Sequence, residues 1–170
     1  MPKIYAQTLR FLILLLFQVL VINSLNWGGY IYPAFYIYFI LVLPFETAGW
    51  ALLLSAFFMG LGVDYFSNSM GVNAAASVLT AFIRPTVLRL MSTKRDHESN
   101  ILPGVRDFGI AWFLSYIVIL VFLHHLFLFF LEYFSLQGLL QTIIRIILSS
   151  VVTILLALLV QLIFDQNEKK

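Results

Sequence analysis

The chain has 170 residues, 62% of them hydrophobic and only 11% charged, with a net charge of +2 and a mean hydropathy of +0.98. Soluble domains carry about 45–50% apolar and about 25% charged residues, so this balance excludes a soluble globular domain, a disordered chain and a collagen-like chain, and predicts an integral membrane protein. Cysteine is absent, which excludes disulfides and thiolate-bound metal or haem; the slight positive charge follows membrane topology and predicts no nucleic-acid partner.

A spanning helix needs about 20 mainly apolar residues. Six segments meet that measure: residues 8–25, 29–44, 48–65, 72–91, 108–131 and 138–164. The expected fold is all-α, one integral membrane domain over residues 1–170 arranged as a polytopic six-transmembrane-helix bundle. The first segment follows Lys3 and Arg10 as a signal peptide would. Its apolar run exceeds the roughly 7–15 residues of a signal core and no small-x-small cleavage site follows, so it is read as a retained helix. The second segment is short and contains Pro33, which leaves open whether it spans fully, is broken or enters obliquely. The longest polar stretch, residues 92–107, is too short to bury a core of its own.

Charge sets the orientation. With the amino terminus inside, the cytoplasmic side holds Lys3, Arg10, Arg84, Arg89, Lys94, Arg95, Arg106, Lys169 and Lys170, while the outer loops near 26–30, 66–71 and 132–138 contain no lysine or arginine. Arg145 is the single exception. Both termini are then cytoplasmic, and the loop between the third and fourth helices faces outward together with Glu132. The cytoplasmic loop Lys94-Arg95-Asp96-His97-Glu98 is expected to be a solvated segment held near anionic lipids by its bases, in preference to a contact for partners on the inner side.

That outer loop carries the most informative residues, Gly60-Leu61-Gly62-Val63-Asp64-Tyr65-Phe66-Ser67-Asn68-Ser69-Met70-Gly71-Val72-Asn73. A carboxylate at the end of an apolar helix must be paired or hydrated, which makes Asp64 a functional candidate. Ordinary turn chemistry accounts for the same residues: Ser67 or Asn68 in an Asx or ST turn, Gly71 at positive φ and Asn73 as the N-cap of the next helix. The turn is the reading adopted. Ala56, Gly60 and Asp64 recur every fourth residue, and on the next helix Asn73, Ser77, Thr80 and Arg84 fall on one stripe, so the two helices are expected to pack closely.

Arg84-Pro85 is a second landmark, because proline removes a backbone hydrogen bond and restricts the residue before it. Arg84 is expected either to pair with Glu46 or to reach lipid phosphate. Arg145 is expected to pair with Glu132 in preference to Asp64. His124 and His125 point about 100° apart on a helix, so they form no chelating pair and are read as structural. No nucleophile–base pair, phosphate loop or HExxH motif occurs, and no enzyme, metal or cofactor is expected. In Tyr30-Ile31-Tyr32-Pro33-Ala34-Phe35-Tyr36-Ile37-Tyr38-Phe39 the first two tyrosines suit an interfacial belt. Tyr36 and Tyr38 lie deeper and need hydroxyl partners, which predicts a contact surface for another protein's spanning helix.

Six crossings in 170 residues, a Gly-Leu-x-x-Asp element closing the third helix and a glycine and small residues opening the fourth resemble the MreD family of rod shape-determining proteins. The strings Phe35-Tyr36-Ile37-Tyr38-Phe39, Gly60-Leu61-Gly62-Val63-Asp64-Tyr65-Phe66-Ser67-Asn68, Gly71-Val72-Asn73-Ala74-Ala75 and Phe82-Ile83-Arg84-Pro85 are similar to its Bacteroidetes-type branch. The resemblance runs over nearly the whole chain, with the motif matches in the middle third. It implies a non-enzymatic scaffold of the bacterial inner membrane, serving the elongation complex that builds lateral peptidoglycan and sets cell shape. The implied partners are the transmembrane and juxtamembrane part of MreC, with MreB, RodA and a penicillin-binding transpeptidase in the same complex. The family's fold in turn resembles the substrate-binding subunits of energy-coupling-factor transporters. That likeness implies an alternative, a vitamin-type binding subunit with an outward pocket lined by Asp64, Asn68, Asn73 and Arg145.

Overall fold

In the computed structural model, which describes residues 2–25, 28, 30–91, 102–133 and 138–167, all regular structure is helical. Helix α1 (Pro2–Phe17) runs on into a π turn (Gln18–Ile22). A 3₁₀ turn (Phe35–Ile37) leads into the one-turn α2 (Tyr38–Leu41). Then follow α3 (Gly49–Ser67), α4 (Val72–Leu90), the short α5 (Val105–Phe108), α6 (Ile110–Tyr133) and α7 (Leu139–Asn167). Among the described residues, four stretches are long and apolar enough to cross a membrane: Tyr5–Ile22, Gly49–Ser67, Ile110–Glu132 and Leu139–Ile163.

Helix α4 is not among those four because its inner face carries Asn73, Ser77, Thr80 and Arg84, all of them buried. It packs between α3 and α6, with α7 against α6 and α1 against α2 and α3. The α3–α4 contact is close because Gly60 has no side chain: a β-carbon there would lie 2.5 Å from the Cα of Ala74 and from the carbonyl oxygen of Asn73. Asn23 Nδ2 donates to Ser67 Oγ at 2.9 Å, which joins the end of the π turn to the end of α3. These two helices therefore end on one side of the bundle. Since α3 rises about 28 Å over its length, the chain leaving Asn23 must return to the opposite side before α3 starts.

That return is made without the second helix expected over residues 29–44. Residues 31–34 have no regular structure, and only the 3₁₀ turn and the four residues of α2 are helical. Pro33 contributes no N–H and drives the residue before it out of helical geometry. Yet every residue from 34 to 43 is buried. Irregular backbone at such depth persists only where the protein itself satisfies it. Side chains do so here. Tyr32 N–H donates to Ser149 Oγ (2.9 Å) and Ala34 N–H to Thr153 Oγ1 (3.1 Å). Gln18 Oε1 accepts from Tyr36 N–H (3.1 Å), and Gln18 Nε2 donates to the Pro33 carbonyl (2.9 Å). Gln18 opens the π turn and is fully buried, an example of the functional placement common to such turns.

Other boundaries shift by small amounts. Gly109, at φ +84°, separates α5 from α6, so Phe108 belongs to α5 and not to the expected helix over 108–131. The basic loop over 94–98, Trp27, Lys169 and Lys170 lie outside the described residues.

Candidate functional site

The polar side chains singled out above converge on the inner face of α4. At its start, Gly71 occupies the N-cap position at φ +84° and offers no side chain, so the first free N–H groups must be met from elsewhere. Asp64 of α3 meets them. Its Oδ1 accepts from Asn73 N–H (3.0 Å) and its Oδ2 from Ala74 N–H (2.8 Å). Oδ1 also accepts from Asn73 Nδ2 (3.0 Å) and Ser69 Oγ (2.6 Å). A carboxylate at a helix N-terminus is favoured by the aligned peptide dipoles as well. Asp64 thus caps α4 from a neighbouring helix. This corrects the expectation that Asn73 is the N-cap: Asn73 lies in the first turn, and its own N–H is one of the two being capped. Asn68 ends α3 in the left-handed conformation at φ +56°, and its side chain is exposed.

One turn deeper lies a second cluster. Tyr36 hydroxyl meets both Asn73 Oδ1 and His124 Nε2 at 3.0 Å, and His124 Nδ1 lies 3.2 Å from Thr80 Oγ1. Thr80 Oγ1 donates to the Ala76 carbonyl at 2.8 Å. Tyr32 hydroxyl reaches Asn73 Oδ1 at 3.4 Å. Beside it, His125 Nδ1 faces the Val121 carbonyl (2.9 Å) and His125 Nε2 faces Thr153 Oγ1 (3.4 Å), the hydroxyl that holds Ala34 N–H. The two histidine rings stand nearly perpendicular. They serve different clusters, as their angular separation on the helix requires.

The third cluster surrounds Arg84, which is only 1% exposed. Its Nε donates to Tyr116 hydroxyl (2.9 Å), its Nη2 donates to the Leu43 carbonyl, and Tyr116 donates to the Leu41 carbonyl (2.9 Å). A cation and a hydroxyl thereby meet the free carbonyls where α2 ends. Neither expectation for Arg84 holds: no carboxylate among the described residues pairs with it, and burial keeps it from lipid phosphate. The following Pro85 lies inside α4 without ending it.

Tyr38 hydroxyl donates to Gln161 Oε1 at 2.6 Å, so both deep tyrosines find internal partners. The contact surface expected of Tyr36 and Tyr38 is therefore not available, because both are core residues. Arg145 stands over the ring of Phe129, 5.8 Å from its centroid, and lies within the field of Glu132. The four residues expected to line an outward pocket do not assemble: Asp64 and Asn73 bond each other, Asn68 is exposed, and Arg145 packs on Phe129.

Sequence reasoning missed Gln18, Tyr116, Ser149, Thr153 and Gln161. Their common signal is a polar residue inside an apolar run. On α7, Ser149 and Thr153 are four residues apart, a spacing that places them on one face, from which they hold Tyr32 N–H and Ala34 N–H. No group of three or more histidine or carboxylate side chains suited to a metal ion occurs among the described residues. What the arrangement performs chemically is reciprocal hydrogen bonding: it satisfies a broken chain segment and pins α4 to its neighbours. No family model, curated protein or solved structure matches the chain.

Proposed function

We propose that this chain is a non-enzymatic membrane scaffold of the MreD type. It would sit in the bacterial inner membrane with six crossings and both termini cytoplasmic, and bind the transmembrane and juxtamembrane part of MreC. MreB, RodA and a penicillin-binding transpeptidase belong to the same complex in this reading. The observation that carries the proposal is that the residues bearing the resemblance are used internally. Gly60 sets the α3–α4 approach, Asp64 and Asn73 fasten it, Gly71 makes the turn, and Tyr36 and Arg84 tie in the irregular segment. A bundle locked in this way offers partners a rigid body whose outward helix faces are apolar, as helix docking in lipid needs.

The parallel course of α1 and α3 supports counting residues 30–43 as a crossing, and α4, at 19 residues, is long enough for another. The alternative, a vitamin-type binding subunit, requires Asp64 and Asn73 to face a ligand, whereas here they face each other.

Co-purification in mild detergent with MreC tests the scaffold reading, paired with depletion of the chain from growing cells. A stable pair and loss of rod shape are expected. Failure to recover MreC, together with unchanged cell shape on depletion, refutes it.

A further inference from the structure

Helix α1 and its π turn direct one stripe of residues toward the bundle. Gln7, Arg10, Leu14 and Gln18 follow one another at spacings of three and four residues, and Leu14 and Gln18 are buried. Gln18 uses both ends of its amide on Asn23, Pro33 and Tyr36. Nearer the amino terminus the pattern changes. Gln7 Oε1 and Arg10 Nη1 are covered by the chain's own atoms, and neither has a hydrogen-bond partner. No carboxylate among the described residues pairs with Arg10. One unmet atom is an acceptor and the other a charged donor, a single turn apart on the same face.

Arg10 lies inside the spanning stretch Tyr5–Ile22, five residues or about 7.5 Å from its start. Helical side chains lean toward the amino terminus, so the guanidinium is carried back over the turn of Gln7, toward the membrane surface at which α1 begins. An unpaired cation at that depth is costly. Arg84 avoids the cost through Tyr116 and the Leu43 carbonyl. Arg10 is placed differently: it and Gln7 keep part of their surface open, and their helix is the least enclosed of the four spanning stretches.

We propose that Gln7 and Arg10 form a site for a phospholipid headgroup, a phosphodiester that also carries an N–H or O–H donor. A phosphate oxygen accepts from the guanidinium in a charge-assisted bond, and the donor of the same headgroup gives its hydrogen to Gln7 Oε1. Ethanolamine and glycerol headgroups have such a donor, and choline has none. Neither Nη1 nor Oε1 has a hydrogen bond to lose, so turning the ends of two partly exposed side chains onto the headgroup breaks none at these atoms. The site requires α1 to lie in a bilayer and rests on no protein partner, so failure to recover MreC leaves it standing.

A lipid fits these atoms better than a carboxylate on a partner's spanning helix. Such a helix would pack on the outward face of α1, where Leu9, Leu12 and Ile13 are exposed, and not on the stripe that holds Gln7 and Arg10. A headgroup instead arrives from the membrane surface, the direction in which the Arg10 side chain leans. Arg89, exposed in the last turn of α4, serves as the control for a cation alone.

The test is native mass spectrometry of the intact chain from detergent micelles, titrated with ethanolamine, glycerol and choline phospholipids of identical acyl chains. The first ethanolamine or glycerol lipid should bind at least about tenfold more tightly than the first choline lipid. Arg10→Met should weaken the first lipid of every type, and Gln7→Leu should abolish the headgroup preference while leaving the choline lipid's affinity unchanged. Arg89→Met should alter neither. Helical circular dichroism of both site variants should match the parent, which separates lost binding from lost fold. Equal affinity of the parent for the three lipids overturns the proposal, as does a preference that survives Gln7→Leu or an Arg10→Met variant that binds as the parent does. Displacement of the lipid by inorganic phosphate overturns it too, because the ligand would then be a free anion.

Discussion

The junction between α3 and α4 makes a graded prediction at Asp64. Replacing it with alanine strips the acceptor from four donors, two of which are N–H groups of the buried residues Asn73 and Ala74. At about 0.6 kcal/mol per bond, the average between membrane helices, the four bonds are worth about 2.4 kcal/mol. Leaving two buried N–H groups unmet costs about 1–3 kcal/mol each by the measure used in soluble proteins. Asp64→Ala should therefore lose about 2–6 kcal/mol. Asp64→Asn keeps one oxygen where Oδ1 receives three of the bonds and loses the bond to Ala74 N–H together with the charge. That variant should lose about 1–3 kcal/mol, by the same values for a lost bond and a helix-end charge. Reversible unfolding in mixed micelles of mild detergent and dodecyl sulfate, followed by helical circular dichroism, measures both. Stability of Asp64→Ala within about 0.5 kcal/mol of the parent would refute the capping account, since surface changes without a structural role fall in that range. Equal damage from Asn and Ala would refute it too, because charge alone, and not the acceptor geometry, would then matter.

Three further outcomes follow from the packing and the topology. Gly60→Ala drives a methyl into the backbone of Asn73 and Ala74, so it should cost at least about 1–3 kcal/mol, whereas Gly62→Ala meets only the Leu15 side chain, which can turn aside, and should cost less than about 1 kcal/mol. The same unfolding assay ranks them, and equal losses would count against the close approach. Arg84→Lys loses the forked contact to Tyr116 and Leu43 and should cost about 1–3 kcal/mol, while Glu46→Gln should stay within about 0.5 kcal/mol, as no ion pair joins the two. Because the chain has no cysteine, single cysteines report its orientation: Met70→Cys, at a fully exposed loop position, should react with an impermeant maleimide on intact spheroplasts, and Leu102→Cys only after the membrane is opened.

The helices with uninterrupted apolar runs were legible from hydropathy because their length and composition determine them: residues 49–67, 110–133 and 139–167 lie within a few positions of where the runs place them. The tight α3–α4 pair was legible in the spacing of Ala56, Gly60 and Asp64, and so was the positive φ of Gly71. Residues 29–44 were not, since hydropathy reports burial and not conformation. A buried stretch reads the same whether its amides bond along a helix or to Ser149, Thr153 and Gln18 from distant parts of the chain. The partner of Arg84 was hidden for a related reason. Pairing rules look for a carboxylate, and the groups that meet this guanidinium are a phenol and a backbone carbonyl, which carry no charge to search for.

These polar contacts bear on how the bundle keeps one arrangement. In lipid, leucine faces gain little from meeting one another, and a helix slid by one turn, about 5.4 Å, can present an equally apolar surface. Helix α4 removes that freedom because it is bonded at three depths to three different elements. Asn73 meets Asp64 of α3, Thr80 meets His124 of α6, and Arg84 reaches the Leu43 carbonyl just beyond α2. From Asn73 to Thr80 the helix rises about 10.5 Å and from Thr80 to Arg84 about 6 Å, so each contact fixes the axial position independently. A one-turn slip would break all three at once and leave a carboxylate, an imidazole and a guanidinium unmet in an apolar interior, where each unmet group is far more costly than a lost apolar contact. Register is thus set by the least apolar helix of the bundle, and the irregular segment, bonded to α4, α6 and α7 together, inherits its position from that helix.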